Sequence, residues 1–442
     1  MFNDRFKCIM IFIITFIITF FFIYILSPTF CDEVWSYGFS YNISKGMVIY
    51  RDFNVLQTPL FFFIIAFFIK IFGSYMILMG IVDCLLCSIM MVCLYKSSKL
   101  YKFIGFFILF INYPSSYNLF LVFLCFMIIY LIDNKKDNDI IIAILVSLMF
   151  LTKQNIGIVM LIPCLIYSKN RIKSICTFLV PILILCLYLV YNNALFDFID
   201  YCFLGLFSFN NNNGFIEWYL LVLLSAMIIY LIYMLIKCKF SDKKLLYILF
   251  FCIICYPIID LRHFTSCLFI FYCFIDINFC IDKIIIRNIY LFKFIFCLVY
   301  LFFLLCYYKI SDISLDSSNI MFLKNMNPII DNVKYIREYL DDNNFDYDND
   351  YIFLGDFYGY YYKLYYDIPI GKYDFIMTGN MGYFNRDKIY SGLDNLCGEN
   401  TCYFIIPQIC YLDTNQWHEF AYYVDNNYNM VDRFDYLNVY KS

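Results

Sequence analysis

The sequence predicts an α-helical polytopic membrane protein with about 11 transmembrane helices, followed by a small C-terminal extracytoplasmic α/β domain. Of the 442 residues, 63% are hydrophobic and only 15% are charged, whereas soluble domains carry about 25% charged residues. Aromatic residues make up 23% of the chain, and the mean hydropathy is +0.72. This composition argues against an ordinary water-soluble enzyme.

The charge distribution divides the chain into two parts. Residues 1–306 hold 22 Lys and Arg against 15 Asp and Glu, whereas residues 307–442 hold 10 against 20. We therefore predict a transmembrane domain over residues 1–306 and a soluble, extracytoplasmic α/β domain over residues 320–442. No cluster of positive charge marks a nucleic-acid-binding face, so we expect no nucleic acid among the partners.

Long apolar runs define the predicted spans. The first run, Cys8 to Ser27, follows Arg5 and Lys7 and is long enough to cross a bilayer. Because no small-residue cleavage site follows it, a retained helix is favoured over a signal peptide. The remaining runs lie near residues 75–95, 102–114, 116–132, 139–152, 156–168, 174–192, 218–236, 245–259, 264–280 and 288–306.

Two pairs of these runs could instead merge into single helices, over residues 103–132 and 140–168. The first merger would bury polar residues between Asn112 and Asn118 in the membrane, and the second would bury Lys153. A Lys at the membrane centre costs roughly 2.5–3.5 kcal/mol on insertion scales. Two hairpins avoid this cost, so eleven spans are favoured over nine.

Basic residues orient these spans. Sixteen Lys and Arg fall in the loops of one side, and five fall on the other side before residue 307. The positive-inside rule then predicts a multi-pass protein of the cell membrane with a cytoplasmic N-terminus and an extracellular C-terminal domain. The apolar segment 59–73 would reverse every later loop if it spanned, so we expect a helix along the outer leaflet.

The tail has the pattern of a small α/β domain. Apolar residues at helical spacing follow Pro328, and a second amphipathic helix is expected around Trp417 and Phe420. Short strands are expected at Tyr351–Leu354, Tyr403–Ile406 and Tyr436–Tyr440.

Most of the 21 cysteines lie in apolar runs, where they are expected to pack as small hydrophobic residues. Cys397 and Cys402 lie outside those runs and could form a local disulfide, although two free thiols are slightly favoured. With only two histidines, a His-based zinc site is not expected.

Polar residues collect on the predicted outer side. Asp32 and Glu33 follow the first span, and the same outer loop holds Arg51, Asp52 and Gln57. Two hairpin tips supply further polar residues, namely Lys153, Gln154, Asn155, Asp260, Arg262 and His263.

A carboxylate at the membrane surface can take a proton from a hydroxyl group or hold a divalent cation. Cations there can neutralise a departing phosphate. Each signal also has a plainer interpretation. Asp32 and Glu33 could be a solvated helix end, Arg51 and Asp52 a local ion pair, and Lys153 a snorkelling anchor.

Five stretches resemble the GT-C superfamily of integral-membrane glycosyltransferases, which includes protein O-mannosyltransferases and bacterial lipid A aminoarabinose transferases. The stretches lie within residues 1–306 and are Asp32-Glu33, Gly46 to Phe53, Gln57 to Leu60, Leu151 to Gly157, and Tyr256-Pro257 leading to Asp260 and His263.

The resemblance implies an inverting transfer of a sugar from a polyprenyl-phosphate donor at an outer-face site. The acceptor would be an extracytoplasmic glycan, lipid or protein, and the lipid bilayer would carry the donor. The family's acidic residue of the first outer loop corresponds to Asp32, with Glu33 beside it. A divalent cation, Mg²⁺ or Mn²⁺, could act through Asp32.

One departure from the family concerns the donor phosphate. Some relatives have a Lys before the Pro-Leu of the surface helix, whereas this chain has Gln57-Thr58. Phosphate contacts are therefore expected from Arg51, Lys153, Arg262 and His263. Supporting roles are expected for Asp52, Gln57, Gln154, Asn155 and Asp260.

A transporter or flippase of lipid-linked sugars is the main alternative. It would use ionisable residues deep within helices, for which Asp83 and Asp276 are the candidates. A sensor that is merely anchored in the membrane ranks last, because eleven spans exceed what an anchor needs.

Overall fold

A computed structural model gives the fold of this chain. The structure describes residues 2–26, 31–96, 116–136, 138–205, 218–255, 261–275, 327–347, 349–354, 362–374, 381–407, 415–434 and 437–442. The predicted spans at 102–114 and 288–306 lie outside these ranges, as do Asp260 and Asp276. The described chain is mostly helical, with a small C-terminal sheet.

Most of the described helices before the tail follow the apolar runs. These helices are α1 (Phe2–Leu26), α2 (Cys31–Ser44), α3 (Leu60–Phe72), α4 (Ile77–Lys96), α5 (Ser116–Asp133), α6 (Asp139–Thr152), α7 (Gln154–Tyr167), α8 (Arg171–Tyr191), α9 (Leu195–Ile199), α10 (Trp218–Lys237), α11 (Lys243–Ile254) and α12 (Leu261–Phe274), of which α2 and α9 lie between the runs.

Three of the described helices, α4, α8 and α10, are long and apolar enough to cross a membrane. Shorter apolar helices include α3, α6, α7 and α12. The described part of the chain therefore supports a membrane protein with at least these candidate spans.

The chain divides into two compact units. The first, here called the helical unit, comprises residues 1–28, 79–183 and 214–314. The second, here called the mixed unit, comprises residues 29–78, 184–213 and 315–442. The predicted boundary between residues 306 and 320 follows composition, whereas these units group the tail with two earlier segments.

The core of the helical unit is built on the hairpin of α6 and α7. Lys153 separates the two helices with extended backbone angles, φ −153° and ψ 108°, which agrees with the two-helix alternative for residues 140–168. Gly157 permits the close approach, since a Cβ atom there would lie 2.2 Å from the Cα of Phe150. Helix α7 packs on α11, and α11 packs on α5, α10 and α12.

The mixed unit contains the tail, whose elements are α13 (Asn327–Asp342), β1 (Tyr351–Leu354), α14 (Arg386–Glu399), β2 (Cys402–Pro407), α15 (Asn415–Asn427), β3 (Asn429–Phe434) and β4 (Leu437–Lys441). The sheet order is β1-β2-β4-β3. Strands β1 and β2 are parallel, and β4 runs antiparallel to both β2 and β3.

Several tail predictions agree with this sheet. Strand β1 has the predicted bounds, β2 contains the predicted Tyr403–Ile406, and β4 is displaced by one residue from the predicted closing strand. Helix α13 buries Val333, Ile336 and Leu340, as its helical spacing predicts. Strand β3 and helix α14 were not predicted.

The preference for free thiols at Cys397 and Cys402 is wrong. These cysteines form a disulfide, with their Cα atoms 5.4 Å apart. The bond joins the end of α14 to the start of β2, so the five-residue separation closes the loop between a helix and a strand.

Aromatic and hydrogen-bonding contacts join the earlier segments of the mixed unit. Helix α3 packs on α2, where the Phe39 and Phe62 ring centroids lie 5.4 Å apart in an edge-to-face arrangement. The Tyr50 ring lies 5.1 Å from that of Phe198, which joins residues 29–78 to residues 184–213. At thirteen residues, α3 is shorter than the roughly 20 residues that a span needs.

Candidate functional site

The predicted acidic pair lies in the first turn of α2. Asp32 is helical, and its side chain lies outside the described part of the structure. Glu33 is only 3% exposed, so the interpretation of this residue as a solvated helix end is wrong. A buried carboxyl group is costly unless it is paired or neutral. Glu33 therefore belongs to the packed interior of the fold and does not face solvent.

The C-terminal half of α2 is fastened to the tail. The hydroxyl of Tyr41 donates to Asp367 Oδ1 at 2.5 Å, and Lys45 Nζ lies 3.0 Å from Asp367 Oδ2. Asn42 makes two hydrogen bonds with Ile370, donating to its carbonyl oxygen at 2.6 Å and accepting from its N–H at 3.0 Å. These contacts give the C-terminal half of α2 a fixed position on the tail.

Asp367 is stabilised as a carboxylate by this arrangement. Partial burial alone would raise its pKa, but the hydrogen bonds from Tyr41 and Lys45 outweigh that effect, and the pKa lies below its usual value. A hydrogen bond to the charged form has this consequence.

Arg51 and Asp52 form a two-point ion pair. Arg51 Nε lies 2.7 Å from Asp52 Oδ1, and Arg51 Nη2 lies 2.9 Å from Asp52 Oδ2. The N–H of Val48 donates to Asp52 Oδ2 at 2.7 Å. Burial would raise the pKa of Asp52, yet the bonds from Arg51 and Val48 lower it. The predicted local pair is therefore present, and it fixes one edge of the guanidinium group.

The opposite edge of that guanidinium group lies at the end of a candidate span. Arg51 Nη1 donates to the carbonyl oxygen of Asn192 at 3.4 Å, and Asn192 directly follows α8. The Arg51 side chain is 45% exposed, so it remains open to a ligand. Asp52 accepts from Nε and Nη2 and Asn192 accepts from Nη1, which leaves two of the five N–H donors for other partners.

The tail adds a second cation to this pair. Lys372 acts electrostatically on Asp52 and lowers its pKa together with Arg51. Asn54 Nδ2 donates to the carbonyl oxygen of Lys372 at 3.2 Å, which fixes the backbone of this tail residue against the segment that contains Arg51 and Asp52. Lys372 is not identified as a site residue from the sequence, because the sequence marks it only by its place in the turn Ile370-Gly-Lys-Tyr-Asp374.

Gln57 contributes through its backbone. Its carbonyl oxygen accepts a hydrogen bond from the hydroxyl of Tyr50 at 2.8 Å and a weaker contact from Cys202 Sγ at 3.6 Å. Tyr50 is fully buried and has φ +71°, so this turn sets the direction of Arg51. The role of Gln57 here is to hold the turn.

The other predicted site residues belong to the helical unit. Lys153 Nζ lies 5.6 Å from the ring centroid of Tyr117, Gln154 is buried, and Asn155 is exposed. Arg262 and His263 are half-buried in the first turn of α12, where the Arg262 carbonyl oxygen accepts from Ser266 Oγ at 2.8 Å. Their predicted functions stay predictions.

Within the described ranges, no group of three or more His, Cys, Asp or Glu side chains is placed to hold a metal ion. The Asp32 side chain is not among the described ones, so a cation bound through Asp32 stays a hypothesis.

No protein-family model matches the chain, and no curated protein or solved structure shows a significant match to it.

Proposed function

We propose that this chain is an inverting membrane glycosyltransferase of the GT-C type. It transfers one sugar from a polyprenyl-phosphate donor to an extracytoplasmic glycan, lipid or protein. The observation that supports this most is the Arg51–Asp52 pair, which lies beside the end of a candidate span. A cation at this depth can meet a phosphate whose lipid chain remains in the bilayer.

The contacts within the mixed unit support the proposed outer location of three segments, a placement that eleven and nine spans have in common. Residues 29–78, 184–213 and 315–442 pack together, and segments that pack together outside the bilayer lie on the same side of the membrane. The positive-inside rule assigns all three segments to the outside. The Cys397–Cys402 disulfide also suits an oxidising, extracytoplasmic environment.

Contacts within the helical unit support the opposite assignment for three other loops. Lys244 Nζ lies 2.8 Å from Asp133 Oδ1, and the Tyr167 hydroxyl donates to the Phe240 carbonyl oxygen at 2.8 Å. Asp139 Oδ2 accepts from the N–H of Lys169 at 2.7 Å. Loops near residues 133–139, 167–170 and 237–244 therefore meet, as expected for loops that share the cytoplasmic side.

The proposed reaction balances with these groups. An acceptor hydroxyl oxygen attacks the anomeric carbon of the donor sugar and forms the new glycosidic bond. The bond from that carbon to the phosphate oxygen breaks, and its electron pair leaves with polyprenyl phosphate. Asp32 takes the hydroxyl proton as general base, and Glu33 supports it.

Arg51 stabilises the leaving phosphate in this proposal. Asp52 holds one edge of the guanidinium fork, so the opposite edge is oriented before the donor arrives. Preorganised cations lower the barrier because they need no rearrangement as charge develops. The ammonium group of Lys372 adds a compact positive charge, while the guanidinium group of Arg51 offers the two-point geometry that suits phosphate.

The test measures release of polyprenyl phosphate. Purified protein in nanodiscs is incubated with a panel of polyprenyl-phosphate sugars, with and without added Mg²⁺. We expect release from at least one donor, and we expect Arg51→Ala to reduce kcat/KM at least tenfold. Lys70→Ala is the matched control, since Lys70 is an exposed cation of the same unit and should leave the rate unchanged.

Two results would contradict the proposal. One is the absence of release from every donor by protein that keeps its Cys397–Cys402 disulfide and elutes as a single species. The other is an equal rate for Arg51→Ala and Lys70→Ala.

A transporter or flippase of lipid-linked sugars is the second candidate, favoured by Asp83. This residue lies within α4 and is only 5% exposed, and buried ionisable groups in spans often belong to transport pathways. Under this alternative, Asp83→Asn abolishes movement of a fluorescent lipid-linked sugar across proteoliposomes, and no polyprenyl phosphate is released.

A further inference from the structure

Helix α8, a candidate span, ends in a tight turn that leads directly into the short helix α9. The N–H of Ala194 donates to the carbonyl oxygen of Leu189 at 2.8 Å, and the N–H of Asn193 donates to that of Val190 at 3.1 Å. Asn193 has φ +55°. This is the Schellman pattern that terminates helices with a left-handed residue. Helix α9 therefore lies within about one turn of the end of the span.

Helix α9 and a loop of the tail together expose a group of apolar side chains. On α9, Phe196 is 55% exposed and Ile199 is 42% exposed, while the tail contributes Tyr383 at 61% and Phe384 at 53%. The Phe384 ring centroid lies 6.1 Å from that of Phe196 and 5.0 Å from that of Tyr383. We call these four residues the aromatic patch.

A buried carboxylate holds the tail loop against α9. Asp200, with no exposed surface, accepts from the backbone N–H groups of three successive residues, 383 to 385, at 3.0, 2.9 and 3.1 Å. Asn385 Nδ2 donates to Asp197 Oδ1 at 2.7 Å. Gly382 has φ +73°, and a Cβ atom there would lie 2.1 Å from Asp200 Oδ2. These contacts fix the backbone of the loop and so keep the side chains of Tyr383 and Phe384 exposed.

We propose that the aromatic patch inserts into the interfacial region of the outer leaflet and docks the tail on the lipid bilayer. The position beside the end of a candidate span identifies the lipid bilayer as the partner, because a surface within one helical turn of that end faces headgroups and upper acyl chains. Aromatic side chains are enriched at this depth.

A lysine completes the interfacial character of the patch. Lys388 Nζ lies 5.8 Å from the ring centroid of Phe196, and a Lys in this place can extend its stem along apolar surface and reach lipid phosphates. The proposal requires that α8 spans the membrane. It does not depend on sugar transfer, so it stands or falls separately from the proposed function.

Photo-crosslinking tests this docking directly. The photoreactive residue p-benzoyl-phenylalanine replaces Phe384 in one variant and Tyr422 in another, and both proteins are irradiated in nanodiscs of phosphatidylcholine and phosphatidylglycerol. Tyr422 is the matched control, because it is an aromatic residue of the same tail and is 72% exposed. Intact-protein mass spectrometry then measures the fraction of each protein that carries one phospholipid.

We expect at least fivefold more phospholipid adduct at position 384 than at position 422. Equal fractions at the two positions would overturn the proposal, as would adducts at 384 that join only a second copy of the chain. Adding Gly382→Ala to the 384 variant should lower the adduct fraction at least twofold, since the Asp200 contact is displaced. If that variant fails to fold, the comparison of positions 384 and 422 still decides.

Discussion

At the residue scale, polar side chains within residues 29–78 depend on partners in the tail. Asn42 has no exposed surface, and its amide group forms both of its described hydrogen bonds with Ile370. Buried polar groups that lose their partners cost about 1–3 kcal/mol each. The tail therefore stabilises the segment that contains Asp32, Arg51 and Asp52.

The acid sensitivity of this contact can be measured at Asp367. Its folded pKa is lowered relative to an unfolded Asp at about 3.9. The carboxylate therefore stabilises the fold above that value, and the contribution is lost as the pH falls through the lower folded pKa. Wild type should melt a few degrees above Asp367→Asn at pH 7, and the difference should shrink as the pH falls below the unfolded value of about 3.9.

Near-ultraviolet circular dichroism of the purified protein follows that melting. Asp387→Asn, at an exposed position of the same tail, is the control and should match wild type at every pH. A difference between wild type and Asp367→Asn that persists unchanged at pH 3 would contradict the assignment.

The catalytic prediction belongs to Asp32. Asp32→Asn keeps the shape of the side chain and removes its basicity, so turnover should fall by about 10²–10⁴-fold while donor binding persists. Single-turnover release of polyprenyl phosphate measures the rate of the chemical step, and equilibrium binding measures the affinity for the donor. Glu33→Gln should have a smaller effect, and Asp387→Asn none. Near-normal turnover by Asp32→Asn would move the transporter alternative ahead.

At the element scale, the sequence predicts helices well because their signal is local. Apolar runs and the break at Lys153 separate α6 from α7 without any knowledge of distant residues. Strand β3 is not predicted because its two adjacent apolar residues, Met430 and Val431, break the alternation of a half-buried strand. Both side chains are exposed. Strand β3 depends on pairing with β4 instead.

The hairpin of α6 and α7 should be sensitive to one methyl group. A Cβ atom on Gly157 would lie 2.2 Å from the Phe150 backbone, and overpacking of this kind costs about 1–3 kcal/mol. Gly157→Ala should therefore lower the melting temperature in detergent. Gly398→Ala is the control, because nothing lies within 4 Å of a Cβ atom there. Equal melting temperatures for both variants would show that the hairpin can relax.

At the scale of the whole molecule, composition separates an apolar part from an acidic tail, but it cannot group the tail with residues 29–78 and 184–213. The contacts that do so join residues far apart in sequence, such as Tyr41 with Asp367 and Asp200 with the N–H of Asn385. No local pattern marks these partners. Asp32, Arg51 and Asp52 could be proposed from their positions after a span, whereas Lys372 could not.

The membrane topology gives the whole-molecule prediction. Reporter fusions after residues 136 and 170 should show a cytoplasmic location, and fusions after residues 155 and 310 should show an extracytoplasmic one. Alkaline phosphatase and green fluorescent protein report opposite sides, so each position has an internal control. An outside signal at residue 136 would reduce the count from eleven spans to nine.

The pairing of Asn42 with Ile370 has a consequence for biosynthesis. The two residues are 328 positions apart, and ribosomes add about 5–20 residues per second, so Asn42 waits roughly 15–65 s for its partner. Under the proposed topology, residues 29–78 are already translocated during that interval and must keep their polar groups hydrated. A nascent chain that stops before Ile370 would leave this segment open to quality-control proteases, however well its membrane helices had inserted.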